Sequence, residues 1–264
     1  MKQLQILVCI KQVPDPEGPA DAFKVDSEAK KVVHVGIPPV INPFDENALE
    51  AALRIKNQFD TKVTVLSMGE KLAQPILRKA LAAGADELIL LEDSHFKDLD
   101  SYSTAYVLSS FIRRIGLYDL ILTGRQAGDW DFGVTGLFIA QMLQFPAATL
   151  ARKVDIRGDC VIVEKLCKDG YEVVNAKMPA LVTVSNEVGE LRYISVRALQ
   201  AVSKKPIKIF NAVDLEIDLH KLTQRTICNL FAFHPEKQCK FVEGEPSQEK
   251  GKNLATLMKK EGLI

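Results

Sequence analysis

Leu120-Ile-Leu-Thr-Gly-Arg-Gln-Ala-Gly-Asp-Trp-Asp-Phe-Gly-Val-Thr-Gly136 runs from a short apolar segment, through a glycine-studded loop, into a segment of helical period. Residues 120–122 read as a buried strand and residues 134–143 as the helix that follows. Gly124, Gly128, Gly133 and Gly136 let the backbone come close to a ligand. Strand, turn and helix in that order bring free N–H groups and the positive end of a helix dipole to one point, which suits a phosphate or diphosphate. The dipole alone contributes only about 0.3 to 2 kcal/mol. A bound nucleotide therefore also needs several N–H contacts and an apolar slot for its base. The loop matches neither standard glycine fingerprint of nucleotide binding, and glycine-rich turns of this kind also occur where nothing binds. Specificity must come from other segments that converge on it.

Working outward toward the N-terminus, strand and helix alternate. Residues 4–10 form a Leu/Ile/Val run that ends at Lys11-Gln-Val-Pro-Asp-Pro16, where two prolines stop regular structure. Residues 23–35 are charged and alternating, the pattern of a small surface hairpin. A helix is predicted from Asn42, with Asn42 at the N-cap, Pro43 at N1 and Asp45 at N3. Its apolar stripe is Phe44, Ala48, Ala51, Ala52, Ile55 and Phe59. Residues 62–66 are a strand that stops at Ser67-Met-Gly69, residues 72–83 a helix closed by Gly84, residues 88–91 a third strand. A further helix begins at Ser101-Tyr-Ser-Thr104. The alternation predicts an α/β fold, a doubly wound parallel sheet with helices on both faces. Ligands of such sheets sit at the carboxyl ends of the strands, and residues 9–11, 67–69, 101–104 and 124–135 all reach that edge.

The pattern changes after Pro146. Residues 153–156, 161–167, 171–176 and 180–185 are short β-like runs separated by Arg157-Gly-Asp and Lys168-Asp-Gly, and they read as a smaller antiparallel β region. Residues 186–192 are a polar loop and residues 194–202 a helix. We expect residues 1–206 to form the α/β domain and residues 207–264 an extended C-terminal arm. Pro235 and Pro246 punctuate that arm, and a short amphipathic helix through Leu254, Leu257 and Met258 closes it. An arm of this length points to a partner chain.

Lys+Arg and Asp+Glu balance at 34 each, so no net positive field draws the chain to nucleic acid or to an anionic membrane. The five cysteines are unevenly spaced, with no C-x-x-C. That spacing argues against a zinc site, a cluster or a disulfide framework, and it fits a reducing, cytoplasmic setting. The apolar run at residues 4–10 is too short for a signal peptide, and no stretch reaches membrane-spanning length. No acid–base pair or nucleophile of the chain's own stands out, so no catalytic residue is assigned.

Several segments together resemble the beta subunit of electron transfer flavoproteins. They are Leu7-Val-Cys-Ile-Lys-Gln-Val-Pro-Asp15, Asn42-Pro-Phe-Asp-Glu46, Ser67-Met-Gly69, Ala80-Leu-Ala-Ala-Gly-Ala-Asp86 and Gly124-Arg-Gln-Ala127. The resemblance implies an adenine nucleotide alpha hydrolase-like fold and a heterodimer with an alpha subunit that carries a FAD of its own. It implies a nucleotide pocket built from Cys9, Lys11, Asn42, Phe44, Asp45, Met68, Gly69 and the loop Gly124, Arg125, Gln126, Ala127, Gly128, Asp129, Trp130, Asp131, Gly133, Val134 and Thr135. One branch of the family holds AMP there. The electron-bifurcating branch and its nitrogen-fixation relatives hold a second FAD.

This chain leans to FAD. Phe96-Lys-Asp-Leu-Asp-Ser-Tyr-Ser-Thr-Ala105, Gly36-Ile-Pro-Pro-Val-Ile-Asn42 and Arg125 resemble the second branch. Hydroxyls at Ser101, Ser103 and Thr104 suit either hydrogen bonds to a flavin or ordinary helix capping. Trp130 can pack on the ligand or simply shield the loop. Arg125 can pair with the diphosphate or tune the flavin. Gly133 and Val134 replace a polar residue usual in the family. The resemblance implies electron flow from NADH to ferredoxin or flavodoxin and to the alpha-subunit FAD, with residues 186–198 recognising an acyl-CoA dehydrogenase-type partner. A universal-stress-type adenine nucleotide-binding protein shares the βα pattern, but it leaves the region after Pro146 unexplained.

Overall fold

Alternate side chains of a central strand leave its two faces, so a strand buried on both sides needs apolar residues at every position. In β1 (Leu4–Cys9) Ile6 and Val8 join one core and Leu7 and Cys9 the other. The computed structural model describes residues 3–116, 118–232 and 239–264. After β1 the chain runs through β2 (Gln12–Pro14), β3 (Phe23–Asp26), β4 (Lys31–His34), β5 (Pro39–Ile41), α1 (Pro43–Lys56), β6 (Thr61–Gly69), α2 (Gln74–Leu77) and α3 (Lys79–Ala83). It continues through β7 (Glu87–Glu92), α4 (Ser101–Ile115), β8 (Leu120–Gly124), α5 (Thr135–Leu143), β9 (Ala147–Arg157), β10 (Cys160–Cys167), β11 (Gly170–Lys177) and β12 (Ala180–Val184). The remaining elements are α6 (Val196–Val202), β13 (Lys208–Phe210) and α7 (Ser247–Lys260).

Nine strands form one sheet in the order β11-β10-β9-β12-β8-β1-β6-β7-β13. It is parallel from β9 to β13 through the centre, and only β9-β10 and β10-β11 pair antiparallel. The predicted α/β fold with a mostly parallel sheet is therefore present. Helices α1, α2 and α3 cover one face, with Leu49, Leu53, Leu77 and Ala80 buried against the strands. The other face is covered by α4 and α5 through Leu108, Phe111, Ile139 and Ala140. The hairpin expected in residues 23–35 is the antiparallel pair β3-β4.

Four expectations change. The strand expected at residues 62–66 runs on through Gly69. The helix expected over residues 72–83 starts at Gln74, with Pro75 in its first turn, and breaks at Arg78 into α2 and α3. Residues 180–184 are not part of an antiparallel region. They form β12, which lies parallel to β8 and β9 inside the main sheet. Its uniformly buried Ala-Leu-Val-Thr-Val is what a two-sided strand requires.

The fourth change concerns the arm. Residues 208–210 form β13, paired parallel with β7, and Ala212, Leu215 and Ile217 are buried in the second core. Packing on the domain thus extends well past residue 206. Farther on, Ser27 Oγ donates to Leu230 O at 3.2 Å. α7 buries no residue and is tied to its own flank by Lys240–Glu261 and by Asn253 Nδ2 to Glu243 O. Pro246 stands at the N-cap of α7, whereas Pro235 lies outside the described residues.

Candidate functional site

β1 lies between β6 and β8, so the chain winds one way from β1 through β6 to β7 and the other way from β8 to β12. Parallel sheets bind ligands at such a reversal, beyond the strands' carboxyl ends. A crevice of about 440 Å³ opens there.

Its frame is set by α1. Asn42 takes the N-cap position, but its side chain makes no capping bond. Fully buried, it turns to the glycine loop, where Nδ2 donates to Gln126 O at 2.8 Å and Oδ1 accepts from Gly128 N at 3.1 Å. Asp45, one turn on, accepts from Lys11 N at 2.7 Å and from Gly124 N at 2.9 Å. One carboxyl group thus ties the ends of β1 and β8 to the helix start. Burial pushes its pKa up to about 7, against the N–H donors, the Asn42 side chain and the Lys11 charge. Burial and Asp45 push the neighbouring Cys9 thiol up to about 12, so it stays neutral.

Gly124 has no room for a side chain: a Cβ would run into the Asp45 carboxylate and the Phe44 backbone. A Cβ on Gly136 would lie 2.7 Å from Thr123 Oγ1. These contacts bring β8, α1 and α5 together. No side chain caps α5, and Val134, Thr135 and Gly136 at its start line the crevice. Its first-turn N–H groups are thus free for an anion.

Around this cradle the loop is braced by its own side chains and by those of neighbouring segments. Lys11 Nζ pairs with Asp129 at 2.5 Å, and Gln126 Nε2 donates to Asp131 at 2.9 Å. The Arg125 guanidinium lies 4.8 Å from the Phe44 ring centroid and donates through Nη1 to Ser185 Oγ at 3.2 Å. Trp130 stacks beside Phe132, and Arg225 covers it at 4.3 Å.

Of the residues singled out in the sequence, Cys9, Lys11, Asp45, Met68, Gly69, Ser101, Thr104, Gly124, Arg125, Gln126, Ala127, Asp129, Trp130, Gly133, Val134 and Thr135 line the crevice. Asn42, Phe44, Gly128 and Asp131 stand behind it and shape the loop. Ser103 is turned away. Asp100 caps α4 by accepting from Ser103 N at 2.7 Å, and the buried Ser103 hydroxyl accepts from Thr223 N at 2.8 Å. The expected donor role for Ser103 therefore gives way to a brace between α4 and the chain's later segment.

Sequence reasoning missed the apolar floor, which includes Leu66, Leu99, Leu108 and Ile139, and it missed Thr123 and Arg225. Thr123 could have been found, because it sits in the strand that leads into the glycine loop. Arg225 carries no local signal.

The chemistry of these groups fits a phosphate-bearing ligand. Thr123 Oγ1, Arg125 Nε and Arg225 Nε are shielded from solvent with no hydrogen-bond partner among the described residues. Buried donors in that state need an acceptor. Among the described residues no group of three or more His, Cys, Asp or Glu could hold a metal ion, and no helix is long and apolar enough to cross a membrane.

On the opposite face of α1, residues 186–192 are stapled down. Buried Glu50 accepts from Arg192 N, Nε and Nη2 at 3.0 to 3.2 Å. Arg54 donates to Val188 O and Asn47 to Gly189 O, both at 2.7 Å. Burial would raise the Glu50 pKa, but the Arg192 and Arg54 donors hold it below its ordinary value. The staple leaves Tyr193 90% exposed.

Fold and site define a doubly wound α/β protein whose switch-point crevice is furnished for an anionic ligand. Residues 30–215 match the electron transfer flavoprotein domain. The chain is 44% identical over 220 residues, 83% of each chain, to an electron transfer flavoprotein subunit beta of Thermoanaerobacterium thermosaccharolyticum. It is 39% identical to the caffeyl-CoA reductase-Etf complex subunit CarD of Acetobacterium woodii over 80% of each chain. It is 32% identical to protein FixA of Azotobacter vinelandii over 96% of this chain and 93% of that one. The chain belongs to the electron transfer flavoprotein family, among its beta subunits.

Proposed function

We propose that the chain is the beta subunit of an electron-bifurcating electron transfer flavoprotein, holding FAD in the switch-point crevice and working as a heterodimer with an alpha subunit. The observation that carries this reading is one continuous crevice lined by the starts of two helices, α4 and α5, with Arg125 Nε and Thr123 Oγ1 beside the start of α5 and without a partner among the described residues. When bound there, FAD would supply hydride acceptance from NADH and electron delivery to ferredoxin or flavodoxin and to the alpha-subunit FAD.

The chain's own residues bind, orient and exclude water. The N–H groups at the start of α5 and Arg125 take the diphosphate. Hydroxyls of Ser101 and Thr104 orient the remote part of the ligand. The apolar floor keeps water from the ring system. Cys9, held as a neutral thiol, serves as wall and not as nucleophile. Residues 186–198, with Tyr193 at the tip, present a rigid contact to an acyl-CoA dehydrogenase-type partner.

Purifying the chain with its neighbour-encoded partner and releasing the ligands by acid tests the reading. Two flavins per heterodimer are expected. One flavin with AMP would assign the crevice to AMP, and a colourless preparation carrying ATP would favour a stress-type protein.

A further inference from the structure

Arg225 lies beyond residue 215, where the family match ends, yet its side chain lines the crevice. The segment that carries it is fastened by backbone bonds. Leu99 and Gln224 form an antiparallel bridge. Asp100 N donates to Thr223 O at 3.0 Å and Arg225 N to Asp98 O at 2.9 Å. Thr223 N is held by Ser103 Oγ. The backbone position of Arg225 is therefore fixed without help from its guanidinium.

The guanidinium lies 4.3 Å from the Trp130 ring centroid, which sets its plane. Its side chain is 20% exposed, and its nearest acidic oxygen among the described residues, on Asp98, is 3.7 Å from Nη2, too long for a hydrogen bond. Nε is shielded from water and meets no partner among the described residues. An arginine pinned at the crevice wall, with part of its guanidinium still exposed and its donors not spent on a close carboxylate, is arranged to receive an acceptor from that crevice.

We infer that Arg225 is a ligand-binding residue, its guanidinium donating to a phosphate oxygen of the nucleotide held in the crevice while Trp130 fixes the guanidinium plane. The inference rests on the crevice being a nucleotide site, as proposed above. It makes the segment around residues 222–225 part of the binding site, clamped with the glycine loop around one ligand.

Trp130 is the single tryptophan of the chain and lies against Arg225, so its emission reports the contact. The full chain, wild type and Arg225→Met, is titrated with FAD, ADP, AMP and adenosine, following tryptophan emission and heat. Arg225→Met is expected to weaken FAD, ADP and AMP by about 10- to 100-fold, the range for losing a charge-assisted hydrogen bond. Adenosine, which lacks phosphate, should bind both proteins alike. Arg225→Lys, with the charge but not the planar fork, should fall between them, and it serves as the readout if the methionine variant does not fold. An equal loss for adenosine makes Arg225 a latch of its own segment and overturns the inference. A loss confined to FAD overturns the phosphate contact, as does no loss at all. Failure of the wild type to bind any of the four sinks the nucleotide reading itself.

Discussion

Asp45 holds two strand ends to a helix start with a buried carboxyl group. Its folded pKa is raised to about 7 from an ordinary value near 3.8, with burial the leading cause. Between those values the folded state binds more protons than the unfolded one, so this residue's contribution to stability falls as pH rises from about 4 to about 7. Asp45→Asn should remove that slope while costing roughly 1 to 3 kcal/mol, because an amide cannot accept from Lys11 N and Gly124 N with both ends. Denaturant unfolding at acidic and alkaline pH should show the wild type's advantage over the variant shrinking as pH rises. A gap that widens instead contradicts the assignment. Cys9 offers a second test at this scale. Buried and pushed up to about 12, it should resist alkylation in the native chain, while exposed Cys167, Cys228 and Cys239 react. Mass mapping after brief iodoacetamide treatment decides it. Asn42 shows how far a sequence reaches at this scale. Its helix-start position was legible from the Asn-Pro-x-Asp pattern, but its side chain leaves the cap for loop bonds to residues 84 and 86 positions away, and no local pattern encodes that choice.

Glu50 and Arg192 join α1 to the loop before α6, and here the element meets the proposed partner surface. Arg192→Ala would strip a buried carboxylate of its two guanidinium donors and leave it the backbone N–H of residue 192. Arg192 keeps about a third of its side chain exposed, so solvent screening lowers the cost from that of a fully buried pair to roughly 1 to 3 kcal/mol. Because the Glu50 pKa is depressed in the fold, the loss should be full near neutral pH and should fade as pH falls below the ordinary carboxylate value. Thermal unfolding at both pH values checks the sign. Tyr193→Ser removes a side chain that is 90% exposed, and it should leave unfolding unchanged while slowing electron delivery to the proposed partner dehydrogenase. The alternation of strands and helices up to residue 143 was legible because each element carries its own period. The direction of β12 was not. Five apolar residues look the same whether a strand runs parallel or antiparallel, and its neighbours β8 and β9 are chosen by packing across the sheet.

At the scale of the whole molecule the question is where the α/β unit ends. A boundary at residue 206 reads naturally from the sequence, since Lys208-Ile-Phe210 is too short to show a period and the residues after it are mixed. In the fold those residues extend the sheet beside β7, and Lys208 pairs with Glu87. Leu215 and Ile217 then close the second core over α4. Each such side chain contributes about 1.5 to 3 kcal/mol on burial, and a domain of this kind has only about 5 to 15 kcal/mol in total. A chain ending after residue 206 should therefore aggregate or unfold at much lower denaturant. A chain ending after residue 226 keeps β13, the buried residues and the Leu99–Gln224 bridge, and it discards α7, which buries nothing against the domain. It should unfold within a few degrees of the full chain and still bind nucleotide. What it should lose is stable association with the alpha subunit, read as separation of the two chains on size-exclusion chromatography. If the chain ending after residue 206 unfolds as the full chain does, the segment is an appendage and the boundary read from the sequence stands.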